Sequence, residues 1–317
     1  MSFNFSTFAA GLTGNLRGIA WMALSTVAFS SMHAMVRDVT QTLHPFEVAF
    51  FRQFLGVFVL APWFIRYGLA PLRTKRLGLH TARAAVNVVA MFAFYYALSI
   101  VPLAQVSALG FSVPIFTALL AMVFLGERVR LRRWAAILFG FAGVFVAFVP
   151  DLEQSGTVEL GSLLVVLSSF AWAIALIFIK VLGRTDSTIT ITTYMVLLMT
   201  PMSLPPALLY WEWPTWEMLG MLMLIGILGT IGQLTVVQAL REGETHVVMP
   251  IDFTKLIWAA GLGFLWFGEI PTVFTWLGGA MIFASAMYIA WREHQLRKTK
   301  AAAAPADLPP APPAPGV

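Results

Sequence analysis

The chain has 317 residues, of which 59% are hydrophobic and only 11% are charged, whereas soluble domains carry roughly 25% charged residues. This composition excludes a soluble fold and predicts a membrane protein. The 20 Lys and Arg outnumber the 15 Asp and Glu, which in membrane proteins reflects basic cytoplasmic loops, so we expect no nucleic-acid partner. There is no cysteine, which excludes disulfides and cysteine metal sites.

The apolar stretches predict ten transmembrane helices, because a bilayer core needs about 20 apolar residues per helix. Breaking the chain at charges, Pro and Gly places the spans at 18–36, 46–65, 81–99, 103–125, 134–149, 160–182, 189–210, 218–240, 245–267 and 271–291. The charge-free stretch from Ala84 to Gly126 is too long for one span, so we predict a tight turn at Ser99 to Pro102. The expected fold class is all-α integral membrane.

The distribution of basic residues predicts the orientation. If the amino terminus lies inside, the inside segments hold nearly all Lys and Arg and the outside loops hold Arg37 alone. Short loops rich in Lys and Arg are retained in the cytoplasm. The sequence therefore predicts a multi-pass protein of the cell inner membrane with both termini cytoplasmic.

The two halves of the chain resemble each other. A shift of 142 residues aligns Gly126-Glu127 with Gly268-Glu269 and Trp134 with Trp276. Similar composition of apolar helices is the alternative explanation, but Trp and Glu in one register argue against it. Each half would hold five spans, an odd number, so the second half would be inverted relative to the first. Such inverted repeats are typical of secondary transporters.

This repeat divides the chain into five segments. Residues 1–17 are predicted to be cytoplasmic, 18–149 to form the first five-helix repeat and 150–159 to be an outside linker. Residues 160–291 form the second repeat, and 292–317 form a cytoplasmic tail whose Pro and Ala content predicts disorder.

Each half contains an apolar helix that ends in Gly-Glu with a Trp shortly after, LAMVFLGERVRLRRWAA and LGFLWFGEIPTVFTWLG. Together with ten spans in two repeats, these segments resemble the EamA family of the drug/metabolite transporter superfamily over residues 18–292. The resemblance implies a helical bundle whose central cavity is lined mainly by helices 1, 3, 4, 6, 8 and 9. HPFEVAFFR (44–52) and MPIDFTKL (249–256) look like a bacterial branch with carriers proposed for S-adenosylmethionine and riboflavin.

Ionisable residues at bilayer depth are expensive and mark functional sites. Asp252 and Lys255 lie one helical turn apart in the ninth span, just after Pro250, which can bend the helix. They could form a structural ion pair, or they could bind a zwitterion or couple protons. Arg52 in the second span could be an anchor or a substrate contact, and His33 could couple protons or be an interfacial residue.

Polar and aromatic residues on the implied lining helices complete the candidate binding site. Individually each residue could equally serve packing or an interfacial belt. The further candidates are Trp21, Asn87, Tyr95, Tyr96, Gln105, Trp172, Gln233 and Gln238.

These patterns favour a secondary transporter for a small polar or amphipathic metabolite, with amino-acid export as the first choice. Import of a cofactor-like compound such as S-adenosylmethionine or riboflavin is the alternative. A lipid-modifying membrane enzyme is disfavoured, because no H-E-x-x-H or G-x-S-x-G motif occurs. We expect no catalytic residues, no metal and no cofactor. The expected partners are a small-molecule substrate and the lipid bilayer, with proton coupling and oligomeric state left open.

Overall fold

A computed structural model describes residues 14–302 except 69–71, 73, 126–130, 184 and 244. The described residues fold into helices joined by short connections. In chain order the helices are α1 (Gly14–Val39), α2 (Pro45–Tyr67), α3 (Leu77–Ile100), α4 (Leu103–Gly110), α5 (Val113–Leu125), α6 (Leu131–Ala147), α7 (Val149–Ser155), α8 (Leu160–Leu182), α9 (Thr188–Leu208), α10 (Trp216–Glu242), α11 (Thr245–Asp252), α12 (Thr254–Phe267) and α13 (Val273–Ala302).

Eight helical stretches in the described residues are long and apolar enough to cross a membrane. The predicted spans 46–65 and 245–267 are not among them. In the span 46–65, the side chains of residues 60–63 lie outside the described part. The span 245–267 is split into α11 and α12. The all-helical membrane fold is thus confirmed, while ten membrane spans stay a prediction.

Local sequence signals explain several helix boundaries. Pro45 occupies the first turn of α2, where its missing N–H is not needed, and the His44 ring accepts a hydrogen bond from the Phe46 N–H. The Ser187 hydroxyl caps α9 by accepting from the Thr190 N–H at 3.1 Å. Helix α12 ends at Gly268, whose φ of 67° is left-handed and suits glycine.

Three boundaries differ from the predicted ones. The fourth predicted span, 103–125, is broken between α4 and α5. The predicted linker 150–159 contains most of α7. Helix α13 continues to Ala302, so the first residues of the predicted disordered tail are helical, because Glu, Gln, Leu, Arg, Lys and Ala there are good helix formers. Residues 1–13 and 303–317 of the predicted terminal segments lie outside the described part.

Four long helix pairs form the bundle: α1 with α10, α3 with α8, α6 with α13 and α2 with α9. Small residues permit close crossings, as in other membrane bundles. A Cβ added at Gly278 of α13 would meet the Gly143 carbonyl oxygen of α6 at 2.7 Å. The Ser168 hydroxyl of α8 donates to the Ala90 carbonyl of α3 at 2.8 Å. Backbone contact and interhelical hydrogen bonds therefore hold these pairs.

The connections gather at two ends of the bundle. We call one end the Arg37 end, because Arg37 pairs there with Glu269. At this end the Gln41 amide also donates to the Ser99 carbonyl. At the other, the His80 end, His80 at the start of α3 meets Asp186 in the α8–α9 connection. Because α1 runs from the His80 end to the Arg37 end, the alternating order of connections matches an up-and-down bundle.

Candidate functional site

Two helices are interrupted in the middle of the bundle. The α-helical hydrogen bonding is interrupted by turns at Phe111 and Ser112, between α4 and α5, and at Phe253, between α11 and α12, while Phe111 and Phe253 keep right-handed backbone dihedrals. The rings of Phe111 and Phe253 contact each other with centroids 4.2 Å apart. The two interruptions therefore meet at one place, and broken helices near the midplane are where transporter sites form.

Asp252 and Lys255 flank the second interruption and form an ion pair. Their side chains remain 20% and 22% exposed, so the pair is not sealed in the protein interior. The Lys255 ammonium also lies 5.0 Å from the centroid of the Phe29 ring of α1, a cation–π geometry. The pairing predicted from their spacing is present, and both groups keep an accessible side.

Aromatic rings of α1 and α3 extend this region. His33 of α1 stacks on Phe29 with centroids 6.2 Å apart and lies 5.0 Å from the Phe94 ring of α3. Both Lys255 and Arg52 lie within electrostatic range of the His33 ring. His33 thus belongs to the interior region that contains the two cations, and not to the membrane interface.

Arg52 projects from α2 against α10. A Cβ added at Gly229 of α10 would approach the Arg52 Nε to 3.0 Å, so the absence of a side chain at Gly229 makes room for the guanidinium group. A small cavity opens beside it, and Gln233 is also in its wall. The cavity is lined by Arg52, Gln53, Gly56, Thr192, Met195, Val196, Gly226, Gly229, Thr230 and Gln233.

Two further predicted residues lie on α3. Tyr95 is buried, its hydroxyl has no hydrogen-bond partner among the described residues, and its electrostatic environment includes the positive charge of Arg52. Asn87, two turns earlier on α3, is also buried. The structure therefore brings Asp252, Lys255, His33 and the Arg52 group together between α1, α2, α3, α10 and α12.

Gln105 is placed differently from the expectation. Its amide nitrogen donates to Asp151 Oδ1 at 2.8 Å and to the Ser162 hydroxyl at 3.0 Å. These bonds tie α4 to α7 and α8 at the Arg37 end. The protein itself therefore accepts from the Gln105 amide, and the side chain lines a cavity at the Arg37 end instead of the central cluster.

Four other candidates also lie apart from the central cluster. Trp172 of α8 is 44% exposed on the helix surface. The Gln238 amide donates to Glu242 one turn later on α10. Trp21 packs on the small core at the His80 end, and Tyr96 approaches His44 at the Arg37 end with ring centroids 6.3 Å apart. The presence of a polar or aromatic residue in a predicted span therefore does not by itself place that residue in the central cluster.

The Arg37 end is closed by an ion pair that the sequence did not predict. Arg37 pairs with Glu269, and its guanidinium group also donates to the Leu98 carbonyl at 3.1 Å and to the Val101 carbonyl. Glu269 Oε2 accepts the Leu103 N–H at 2.9 Å. One pair thus joins α1, the end of α3, the start of α4 and the end of α12. In the sequence, only the opposite charges of Arg37 and Glu269 and their predicted places at outside loops could have indicated this pair.

The EamA-like transporter family matches the chain twice, at residues 16–149 and 159–291. The chain belongs to the EamA-like transporter family. As an EamA-like protein it is a transporter and not an enzyme. It is a multi-pass membrane protein, and its bacterial relatives support a location in the inner membrane.

Several relatives of this EamA-like chain have named activities. It is 30% identical to the S-adenosylmethionine uptake transporter of Rickettsia bellii (strain RML369-C), over 89% of this chain and 96% of the relative. It is 32% identical to the riboflavin transporter of Rhizobium johnstonii, over 87% and 91%. Identity to the pseudopaline exporter CntI of Pseudomonas aeruginosa is 26%, over 86% and 95%.

A solved structure shows the same fold. A protein with 16% sequence identity, known from a crystal structure, superimposes on this EamA-like chain with a TM-score of 0.61. The match covers 89% of this chain and 99% of the other. At this identity the likeness concerns the fold alone.

Proposed function

We propose that the protein is a secondary transporter that moves a small metabolite across the inner membrane by alternating access. Its ten spans would form two inverted repeats, 18–149 and 160–291, with both termini cytoplasmic. The observation that carries the proposal is the contact between Phe111 and Phe253. A shift of 142 residues takes one position to the other, so equivalent helices are broken at equivalent points and meet beside an ion pair.

The helix packing supports the inverted repeat. The same shift relates α1 to α8 and α3 to α10, so the packed pairs α1–α10 and α3–α8 are equivalents. The pairs α6–α13 and α2–α9 are each equivalent to themselves, which is expected of helices on either side of a pseudo-twofold axis. The double match to the EamA-like family has the same period.

An asymmetry between the repeats supports alternating access. At the Arg37 end, α4 packs against α12. The equivalent pair at the His80 end is α11 and α5, and between their described residues there is no comparable packing. In the proposed topology the Arg37 end faces outward. The conformation is then closed to the outside and more open to the cytoplasm, and exchange of the two packings between repeats would reverse it.

The substrate lies, on this proposal, against Asp252, Lys255, His33 and Arg52. The Asp252–Lys255 pair is partly accessible, so its charges can be shared with a ligand or a proton. Proton coupling through this pair is consistent with its place beside the broken helix, because intramembrane carboxylates serve as proton relays.

The relatives bear on the direction and on the substrate class. The sequence favoured amino-acid export first, with import of a cofactor-like compound as the alternative. The names of the relatives in Rickettsia and Rhizobium favour the alternative, because they specify S-adenosylmethionine uptake and riboflavin transport. We therefore propose uptake of a cofactor-like metabolite. Export is the second candidate, supported by the pseudopaline exporter.

Counterflow into liposomes tests the function. Purified protein is reconstituted into vesicles preloaded with unlabelled S-adenosylmethionine, riboflavin or an amino-acid mixture, and entry of the matching labelled compound is followed. We expect transient accumulation with one cofactor-like compound and none in protein-free vesicles. Accumulation with amino acids alone would reject the cofactor class, and binding without any counterflow would reject transport.

A further inference from the structure

Arg52 carries a charge for which the described chain supplies no counter-ion. The ion pairs there join Arg37 with Glu269, His80 with Asp186 and Lys255 with Asp252. The acceptor that Arg52 reaches is the thioether sulfur of Met91, 4.0 Å from Nη1, and its buried Nε has no partner in the described residues. A thioether is a weak acceptor, so the guanidinium group is left largely uncompensated.

Neighbouring groups add further hydrogen-bond donors. The Gln53 amide nitrogen lies 3.4 Å from the Met91 sulfur and 3.2 Å from the Met199 sulfur. The Tyr95 hydroxyl is buried without a partner in the described part of the chain. The side chains of Arg52, Gln53 and Tyr95 come from α2 and α3, and the described residues offer their donors either a thioether sulfur or no acceptor.

The charged side chains named in this region carry a net positive charge. Around His33 lie two cations, Arg52 and Lys255, and Lys255 already shares the carboxylate of Asp252. A charge at bilayer depth without a partner costs several kcal/mol. One additional negative charge beside Arg52 would balance the cluster and satisfy its open donors.

The place beside Arg52 is reachable. The small cavity between α2, α9 and α10 is lined by Arg52 and Gln53, and Gly226 and Gly229 leave part of its α10 wall without side chains. A Cβ at Gly229 would press against Arg52 Nε at 3.0 Å and Met32 Sδ at 2.9 Å. The glycine therefore keeps the guanidinium group in position beside the opening.

We infer that the transported substrate carries a carboxylate, and that Arg52 binds it in a bidentate pair with added donation from Gln53 and Tyr95. This inference rests on the proposed transport function and specifies the chemistry of its substrate. A planar carboxylate matches the fork of a guanidinium group, and such charge-assisted pairs are about twice as strong as neutral hydrogen bonds. The Met91 and Met199 sulfurs provide a polarizable wall for an uncharged part of the substrate.

Matched ligand pairs test the carboxylate. Thermal unfolding of the purified full chain in nanodiscs is followed with L-methionine and L-methioninamide, with S-adenosylmethionine and its decarboxylated form, and with riboflavin, which has no carboxylate. We expect a carboxylate compound to stabilise the protein and its carboxylate-free partner to bind at least tenfold more weakly. The same compounds are followed by counterflow.

Variants assign the discrimination to Arg52. R52Q should bind both members of a pair equally weakly, R52K should retain only part of the preference because lysine lacks the fork, and G229A should resemble R52Q by displacing the guanidinium group. G220A is the matched glycine control, because nothing lies within 4 Å of its added Cβ, and it should keep the wild-type preference.

Each outcome decides between the two proposals. Equal binding of a carboxylate and its partner by the wild type, retention of the tenfold preference by R52Q, or stabilisation by riboflavin alone would overturn the carboxylate inference and leave transport standing. Absence of both binding and counterflow across the panel would count against the transport proposal, and the carboxylate inference would fall with it.

Discussion

Arg37 and Glu269 form an ion pair across the Arg37 end of the bundle, with side chains only 15% and 13% exposed. The pair holds together four helix ends through the additional bonds to Leu98, Val101 and Leu103. Removing one partner of a buried pair costs roughly 3–5 kcal/mol, because it leaves an uncompensated charge. We therefore expect E269Q to open this end.

Labelling of a single cysteine measures that opening, since the chain has no native cysteine. Ala108 of α4 is fully buried, so A108C should react slowly with an impermeant maleimide added outside, and at least tenfold faster when E269Q is present. E153Q is the control, because Glu153 is exposed on the short helix α7. Equal rates in E269Q and the parent would show that the pair does not close this end.

Asp252 and Lys255 give a second prediction. Each of D252N and K255M should abolish counterflow with normal membrane insertion, because each leaves an unpaired charge beside the broken helix. The double variant D252N/K255M separates the two roles of the pair. Failure of the double variant to transport supports a direct role in binding or coupling, and recovery of wild-type counterflow would make the pair purely structural.

The His80 end predicts a pH dependence. Hydrogen bonds from Thr74 at 2.6 Å and from His80 at 2.7 Å lower the pKa of Asp186 below its usual value. A depressed carboxyl pKa contributes stability above the unfolded-state pKa of about 4, and this contribution is lost as the pH falls through the folded value. D186N should therefore lower the Tm near pH 7, and the difference from wild type should shrink as the pH falls below about 4.

A scan of thermal unfolding between pH 3 and 7 checks this, with T74V as the intermediate case. T74V removes the hydrogen bond from Thr74, which contributes most to the lowered pKa of Asp186. The variant should therefore raise that pKa and move the acid loss of stability to higher pH. A constant Tm difference between D186N and wild type at all pH values would contradict the linkage.

The crossing of α6 and α13 predicts a steric effect. A Cβ at Gly278 would meet the Gly143 carbonyl oxygen at 2.7 Å and the Ala147 backbone nitrogen at 2.8 Å. Backbone atoms cannot move aside as a side chain can, so G278A should separate the helices and lower stability by roughly 1–3 kcal/mol. Thermal unfolding measures the loss, and G220A should be neutral because its Cβ meets open space.

The orientation can be checked with exposed positions at the two ends. Gln41 lies at the Arg37 end and Lys75 in the α2–α3 connection, and both are exposed. In inside-out and right-side-out vesicles, Q41C should be labelled only from outside and K75C only from the cytoplasmic side. The reverse pattern would invert the topology and make the conformation open to the outside.

Much of the scaffold could be predicted because apolar length and breaking residues are local properties. The pattern at Gly268-Glu269 predicted a helix end, and Gly268 is indeed the left-handed residue that follows α12. Pro250 predicted a bend, and the interruption follows at Phe253. The break at Phe111 was missed although Pro114, which lacks a backbone donor, lies in the first turn of α5.

The site was less predictable because partners come from distant parts of the chain. Gln105 was expected in the central site, yet its amide nitrogen donates to Asp151 of a short helix in the predicted linker, and its side chain lines a separate cavity at the Arg37 end. The Arg37–Glu269 pair was missed because each residue alone looks like an ordinary interfacial charge. Arg52 was identified, but only the fold shows that its neighbours are thioethers and unpaired donors.

The ring contact between Phe111 and Phe253 has a mechanical consequence. Each aromatic side chain lies at the turn that interrupts its own helix, and its ring contacts the ring at the other turn. Straightening of one helix would withdraw the surface on which the other bends. In the proposed alternating-access cycle the two helices would therefore change angle together, because neither turn can move without changing its contact with the other.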